Sequence, residues 1–375
     1  MKFTEKSLSL SRRFIFSILS ACVSLLLLFA AQSSSAFSNW YSEHIYKMLV
    51  STYGRATGLL PFSLAELLLY LSAGVFLASL LYLLAKTIRK KAGWNNWKNF
   101  GLNLLAAAAS LFLLYTLCCG INYGRTSFSE TASLENVSYT AEELSAVCKI
   151  LAEKTNELSE KMTRAEDRTA LMGSSINEQA QSAMEHLGTL YPELSGDYPR
   201  PKGLTFPAFL SIQNLSGIYS PFTIEANYNS AMTEYNLPFT ACHELSHLRG
   251  FMQEEEANFI AWLACINSEE DTFQYSGYLM GWLYASNQLY KIDYDAYRNT
   301  YDSLSPDVRA DLNANNQFWE QYEGQIAEVS NQINDSYLKA NGQTDGVQSY
   351  DRMVDLIMSH YWDYISNTEK EPMQK

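Results

Sequence analysis

Two histidines four residues apart, His243 and His247, and a glutamate beside the first, Glu244, lie in the run Ala241-Cys-His-Glu-Leu-Ser-His-Leu-Arg-Gly250. On a helix of 3.6 residues per turn the histidines stand about 40° apart around the axis, so both imidazoles can reach one metal ion. Glu244 points to a neighbouring face, where a carboxylate can take a proton from an attacking water. A catalytic zinc takes three protein ligands and keeps one position open. Gly250 can end this helix, and Glu254-Glu-Glu-Ala-Asn258 can begin the next. Glu254 would complete a His₂Glu set, and Asn258, on the same helix face, could hold the distant nitrogen of a ligand histidine. Glu256 is the competing third ligand; Glu254 is preferred because its spacing to Asn258 suits a ligand with its orienting partner. Glu255 reads as an acidic first-turn residue favoured by the helix dipole. The motif alone also fits two surface histidines on an amphipathic helix.

A peptidase needs a hydrogen-bond donor for the oxyanion and an extended edge for the substrate backbone. Tyr275, Tyr278, Tyr350 and Arg352 are the donor candidates, with Tyr350 preferred because it follows a Gly-containing turn late in the chain. The segment Thr223, Ile224, Glu225, Ala226 and Asn227 is the candidate substrate strand, against the plainer reading of an ordinary sheet strand. His186 and His360 lack partners at ligand spacing and read as structural. Cys242 and Cys265 flank the motif and read as small core residues, a bridge between them being the alternative.

The elements that must hold these residues divide into two parts. Residues 1–120 carry eleven Lys/Arg against three Asp/Glu, and residues 121–375 carry sixteen against thirty-seven. The acidic part has no basic stripe for phosphates, which argues against nucleic-acid binding. Three apolar runs, about 14–31, 64–85 and 102–119, approach the roughly 20 residues that a membrane-crossing helix needs. Ser-Ser-Ser-Ala at 33–36 resembles a signal cleavage site, but the length of the first run favours a retained span. Lys2, Lys6, Arg12 and Arg13 precede the first run, and Lys86, Arg89, Lys90, Lys91 and Lys98 separate the second from the third. The positive-inside rule then puts residues from about 121 onward outside the cytoplasm. Glu66, in the first turn of the second run, reads as a solvated interfacial residue.

The expected fold is α+β and mostly helical: a membrane domain (1–120) with three transmembrane helices, then a zincin-like extracytoplasmic domain (121–375) with a small sheet and the histidine-bearing helix. Thr140 and Glu143 make a capping box for a helix to about Met162. A second helix runs from Ile176 to Leu190. Tyr198 to Gly203 reads as a turn, and strands are expected between Leu204 and Tyr228, including Ile218 to Asn227. Ser305-Pro306 starts a helix, a long helix spans about 316–339, and another runs from Tyr350 to about Tyr364.

The Glu-x-x-Ala-Asn run after the histidines looks like the gluzincin pattern, and is similar to the E-x-E-A-N of ImmA/IrrE-type peptidases with a shorter gap. Across nearly its full length the chain more closely resembles a bacterial family designated domain of unknown function 3810. The resemblance rests on Gly120-Ile-Asn-Tyr123, Pro221-Phe-Thr-Ile-Glu-Ala-Asn227, His243 to Asn258, and Gly346-Val-Gln-Ser-Tyr350. It implies a zinc peptidase-like site in a bacterial membrane protein and supplies no substrate. The expected activity is hydrolysis of peptide or protein substrates with one Zn²⁺ on His243, His247 and Glu254, and with Glu244 as general base. The alternatives are an inactive metal-binding envelope sensor or scaffold, and a cell-wall peptide amidase.

Overall fold

The computed structural model describes residues 2–134 and 137–368. It is mostly helical, with one small sheet. Three helices are long and apolar enough to cross a membrane: Arg12–Ser33 within α1 (Lys2–Ser33), then, beyond the connecting helix α2 (residues 35–58), α3 (Leu64–Ile88) and α4 (Trp94–Cys118). α1 packs against α4, and Arg13 donates to Asn103 Oδ1 at 2.8 Å near their basic ends. α4 begins at Trp94, earlier than the apolar run, because hydropathy marks the bilayer and not the helix end. Its start is closed by the Gly93 N–H donating to Asn96 Oδ1 at 3.2 Å.

Residues 35–58 lie between the first two apolar runs, where no helix is expected. They form a nearly continuous helix, α2, opened by Ser34 as N-cap and interrupted by π-turns at Ser42–Tyr46 and Val50–Gly54. Each π-turn shifts the apolar stripe around the axis, so no single period runs through Tyr41, Tyr46 and Val50, all buried.

Beyond the spans, α5 (Ala141–Ser159) starts with the expected capping box, the Thr140 N–H donating to Glu143 Oε2 at 2.6 Å and the Glu143 N–H to Thr140 Oγ1 at 3.2 Å. α6 (Ile176–Leu190) follows. The sheet has the order β1 (Lys202–Gly203), β3 (Glu225–Tyr228), β2 (Gly217–Ser220), with β1 parallel and β2 antiparallel to the centre. The expected extended run from Ile218 to Asn227 is therefore a hairpin. It turns through Pro221–Ile224, with Ile224 at φ +50° and fully buried.

Every residue of α7 (Asn236–Leu248) is buried, enclosed by α6, the sheet, α8 (Glu254–Ile266) and α9 (Asp271–Ile292). Trp262, Trp282, Phe251, Phe259 and Phe273 fill the surrounding core. α10 (Tyr294–Ser303) and α11 (Pro306–Glu320) follow, the latter capped by Ser305, whose hydroxyl accepts the Val308 N–H at 3.2 Å. The long helix expected from about Asn316 is broken at Gly324, whose φ of +152° no helix accepts. It resumes as α12 (Gln325–Ala340). A 3₁₀ segment, Gly346–Arg352, leads into α13 (Met353–Thr368).

The two parts are stapled together by the Pro221–Asn227 segment. Glu225 accepts the Leu64 and Ala65 N–H groups at 3.1 and 2.8 Å, capping α3, and pairs with buried Lys202. Lys202 also donates to the Thr57 carbonyl at 2.8 Å. Glu66 is buried rather than solvated: it accepts the Thr205 and Phe206 N–H groups at 2.9 and 2.8 Å. A carboxylate at this depth is tolerable because donors surround it.

Candidate metal centre

α7 ends in a turn that only a residue comfortable at positive φ can make. Gly250 adopts φ +97°, and the Phe251 N–H folds back to the Ser246 carbonyl at 3.2 Å, the 6→1 bond of a Schellman cap. That turn brings the Phe251 carbonyl to 2.8 Å from His247 Nδ1. The carbonyl can only accept, so Nδ1 carries a proton there and Nε2 is the nitrogen that faces inward toward Glu254. Two residues later α8 begins with Glu254, at the end of the helix where its dipole favours an anion.

Glu254 Oε2 lies 3.2 Å from His243 Nε2 and 3.5 Å from His247 Nε2. Among the described residues these three side chains form the one group of His, Cys, Asp or Glu that could hold a metal ion. Bonds of about 2.0–2.2 Å in a tetrahedral zinc shell put neighbouring ligand atoms roughly 3.3–3.6 Å apart, so the two spacings fit such an ion. Glu254 Oε2 and Glu244 Oε2 are buried without a hydrogen-bond donor, as carboxylate oxygens awaiting a cation or a water would be.

The electrostatics agree with this reading. Burial and Glu254 oppose each other at His247; the carboxylate prevails and raises the imidazole to about 9. Glu254 is held well below the usual carboxylate range, its burial outweighed by His247 and His243. Burial lifts Glu244 to about 7, against the lowering effect of the two histidines.

The three consecutive glutamates have three separate partners. Glu254 faces the histidines. Glu256 is no ligand, because it accepts the Ser129 N–H at 3.0 Å on the other side of α8. Glu255 is more than a dipole-favoured first-turn residue: it accepts from Arg352 at 2.6 Å and from Gln343 at 2.6 Å. Those bonds fasten the 3₁₀ segment that carries Tyr350, which lines the same cleft as His243 and Glu244. Burial and the nearby Glu254 keep the Tyr350 phenol protonated, and its oxygen accepts from Asn334 Nδ2 at 3.5 Å. Of the other donor candidates, Tyr275 is bound to Asp311 at 2.5 Å, Tyr278 is raised by burial in the neighbourhood of Lys154 and Glu157 on α5, and Arg352 is taken by Glu255.

Two expectations need correction. Asn258 does not hold His243, since His243 Nδ1 and Asn258 Nδ2 are both buried without partners; Asn258 instead faces the Tyr284 hydroxyl. The strand bearing Glu225, Ala226 and Asn227 is the centre of the sheet, paired on both sides, and Thr223 and Ile224 lie in the turn. None of the five can pair with a substrate backbone. The edges are β1 and β2, and β2 is the one beside the centre, its Tyr219 N–H reaching Glu244. Gly217 packs so closely on the Glu244 carboxylate that a Cβ there would overlap it. Alternation in the 217–228 run marked a strand but could not say which of two became the edge.

Cys242 and Cys265 are both buried and free. His360 stacks edge-on against Trp262, with ring centres 5.0 Å apart, and His186 lies on a separate cleft. Two clefts, of about 410 and 390 Å³, meet at His243, Glu244, Gly217 and Tyr350 and together form a groove across the centre. Tyr115, Tyr123, Tyr284 and Tyr337 also line it, and nothing in their spacing marked them among twenty-five tyrosines.

A family model described as "Protein of unknown function (DUF3810)" matches residues 41–358. No curated protein and no solved structure matches the chain.

Proposed function

The chain belongs to the DUF3810 family, and we propose that it is a membrane-anchored zinc metallopeptidase acting outside the cytoplasm. The observation that carries the reading is the convergence of His243 Nε2, His247 Nε2 and Glu254 Oε2 next to Glu244, whose Oε2 is buried and unpartnered. When bound by these three ligands, zinc supplies Lewis acidity toward a peptide carbonyl and toward water. Glu244 lies beside the ligands with its Oε2 free, placed to take a proton from the attacking water. It takes one proton as water oxygen bonds to the carbonyl carbon, and gives it to the nitrogen as the C–N bond breaks. Tyr350 donates to the developing oxyanion. The β2 edge at Gly217–Ser220 aligns the substrate backbone by strand addition.

The orientation rests on charge. The basic loop between α3 and α4 lies at the opposite ends of these helices from the metal centre, and lysines and arginines favour the cytoplasmic side. This supports an extracytoplasmic, multi-pass arrangement.

The test is Glu244→Gln in the full chain. It should bind zinc as the parent does and lose turnover of an unfolded protein substrate by about 10²–10⁴-fold, the usual size of a general-base contribution. Cleavage at the parental rate would remove Glu244 from the mechanism.

A further inference from the structure

The cleft on the Glu254 side of the centre is built partly from the membrane part of the chain. Its walls are Tyr115 of α4, Cys119 and Tyr123 just after α4, Phe222, Met252 and Tyr337. Tyr115 lies three residues before the end of α4, about 4.5 Å along a helix axis. The lining contains no Lys or Arg, and its only charged groups are those of the metal centre itself. Such a pocket accepts an apolar side chain and offers nothing to an anionic one.

Residues from both parts form an apolar belt near the start of α3. Phe206 is 62 % exposed, Phe209 38 %, Ile212 41 % and Leu59 81 %. Phe206 meets the ring of Tyr70 edge-on at 5.9 Å, and Tyr70 is six residues inside α3, about 9 Å along its axis. The belt is thus continuous with the lipid-facing surface of the span, and in water it would be an apolar patch of the kind that marks a membrane contact. Ile218, on the edge strand β2, is 44 % exposed.

We propose that the substrate is drawn from the bilayer. The groove binds a peptide segment immediately outside a membrane-embedded stretch, and an apolar side chain of that segment fills the Tyr115–Cys119–Tyr337 pocket. Phe206, Phe209 and Ile212 rest in the same leaflet and hold the β2 edge at the membrane surface. The inference rests on the peptidase reading for the reaction but not for the binding.

The experiment uses the full-length Glu244→Gln variant in lipid nanodiscs. The probe is a peptide with a benzophenone-bearing phenylalanine three residues beyond an apolar helix of about 20 residues, compared with the same peptide lacking the helix. Tethering both partners to one bilayer raises the effective concentration. Crosslinks should therefore fall within residues 115–123 or at Tyr337, at least about tenfold more for the anchored peptide. The double substitution Phe206→Ser, Phe209→Ser should lower that yield and leave crosslinking of the free peptide unchanged. Equal crosslinking of both peptides, or crosslinks outside this pocket, would overturn the inference. Parental protein tells the two readings apart: tether-dependent crosslinking without cleavage keeps this one and counts against the peptidase, whereas equally fast cleavage of both peptides does the reverse.

Discussion

At the scale of single residues, the site was legible where chemistry forces a spacing. Two imidazoles on one metal require i and i+4 on a helix, and a helix that must end before the third ligand requires a residue like Gly250. Choosing Glu254 over Glu256 from sequence rested on a partner, Asn258, that turns elsewhere; the structure separates the two glutamates by where their oxygens point. Side-chain direction at a helix start is set by tertiary packing, which spacing does not encode. One consequence concerns protons. Glu254 raises His247 to about 9 in the metal-free protein, so below that pH zinc must displace a proton to bind. Zinc affinity should rise with pH from 6.5 toward 9 and then flatten, with about one proton released per ion near pH 7.5. Calorimetry in buffers of different ionisation enthalpy measures that release. Affinity equal at pH 6.5 and 8.5 would contradict it.

At the scale of elements, periodicity located α5 and α6 well, because each buries one stripe, and α5 also begins with a recognisable capping box. The π-interrupted α2 and the two-residue β1 carry no such signature. Lys202 read as part of a turn, yet its ammonium is buried against Glu225, a pairing that depends on residues far away in sequence. The hairpin's edge strand also yields a prediction. Gly217 leaves just enough space for the Glu244 carboxylate. Gly217→Ala should push that carboxylate aside and lower kcat by about tenfold or more, since a misplacement near 1 Å can cost about 10²-fold. Zinc content should be unchanged. Parental kcat in this variant, with metal bound, would show that Glu244 does not need the space.

At the scale of the whole molecule, composition separated a basic apolar part from an acidic one, but the boundary in charge is not a boundary in packing. Tyr46 of α2 reaches Tyr219 at 2.8 Å and donates to the Leu248 carbonyl at 3.0 Å, and Glu225 caps a membrane-length helix. Contacts of this kind join residues 160 or more positions apart, and a single sequence gives no hint of them. A chain beginning at residue 121 would leave the Lys202–Glu225 pair and the Tyr219 hydroxyl facing solvent. It should melt well below the full-length protein in detergent, or aggregate, as followed by circular dichroism and light scattering. An equal melting temperature would mean that the staple contributes little.

The most direct test of the central claim is the metal content of the full-length protein, purified without chelators, beside that of His247→Ala. The parent should hold about one zinc per chain, and the variant should lose it. A parent without zinc, or a variant that keeps it, would contradict the assignment of His243, His247 and Glu254 as a metal centre.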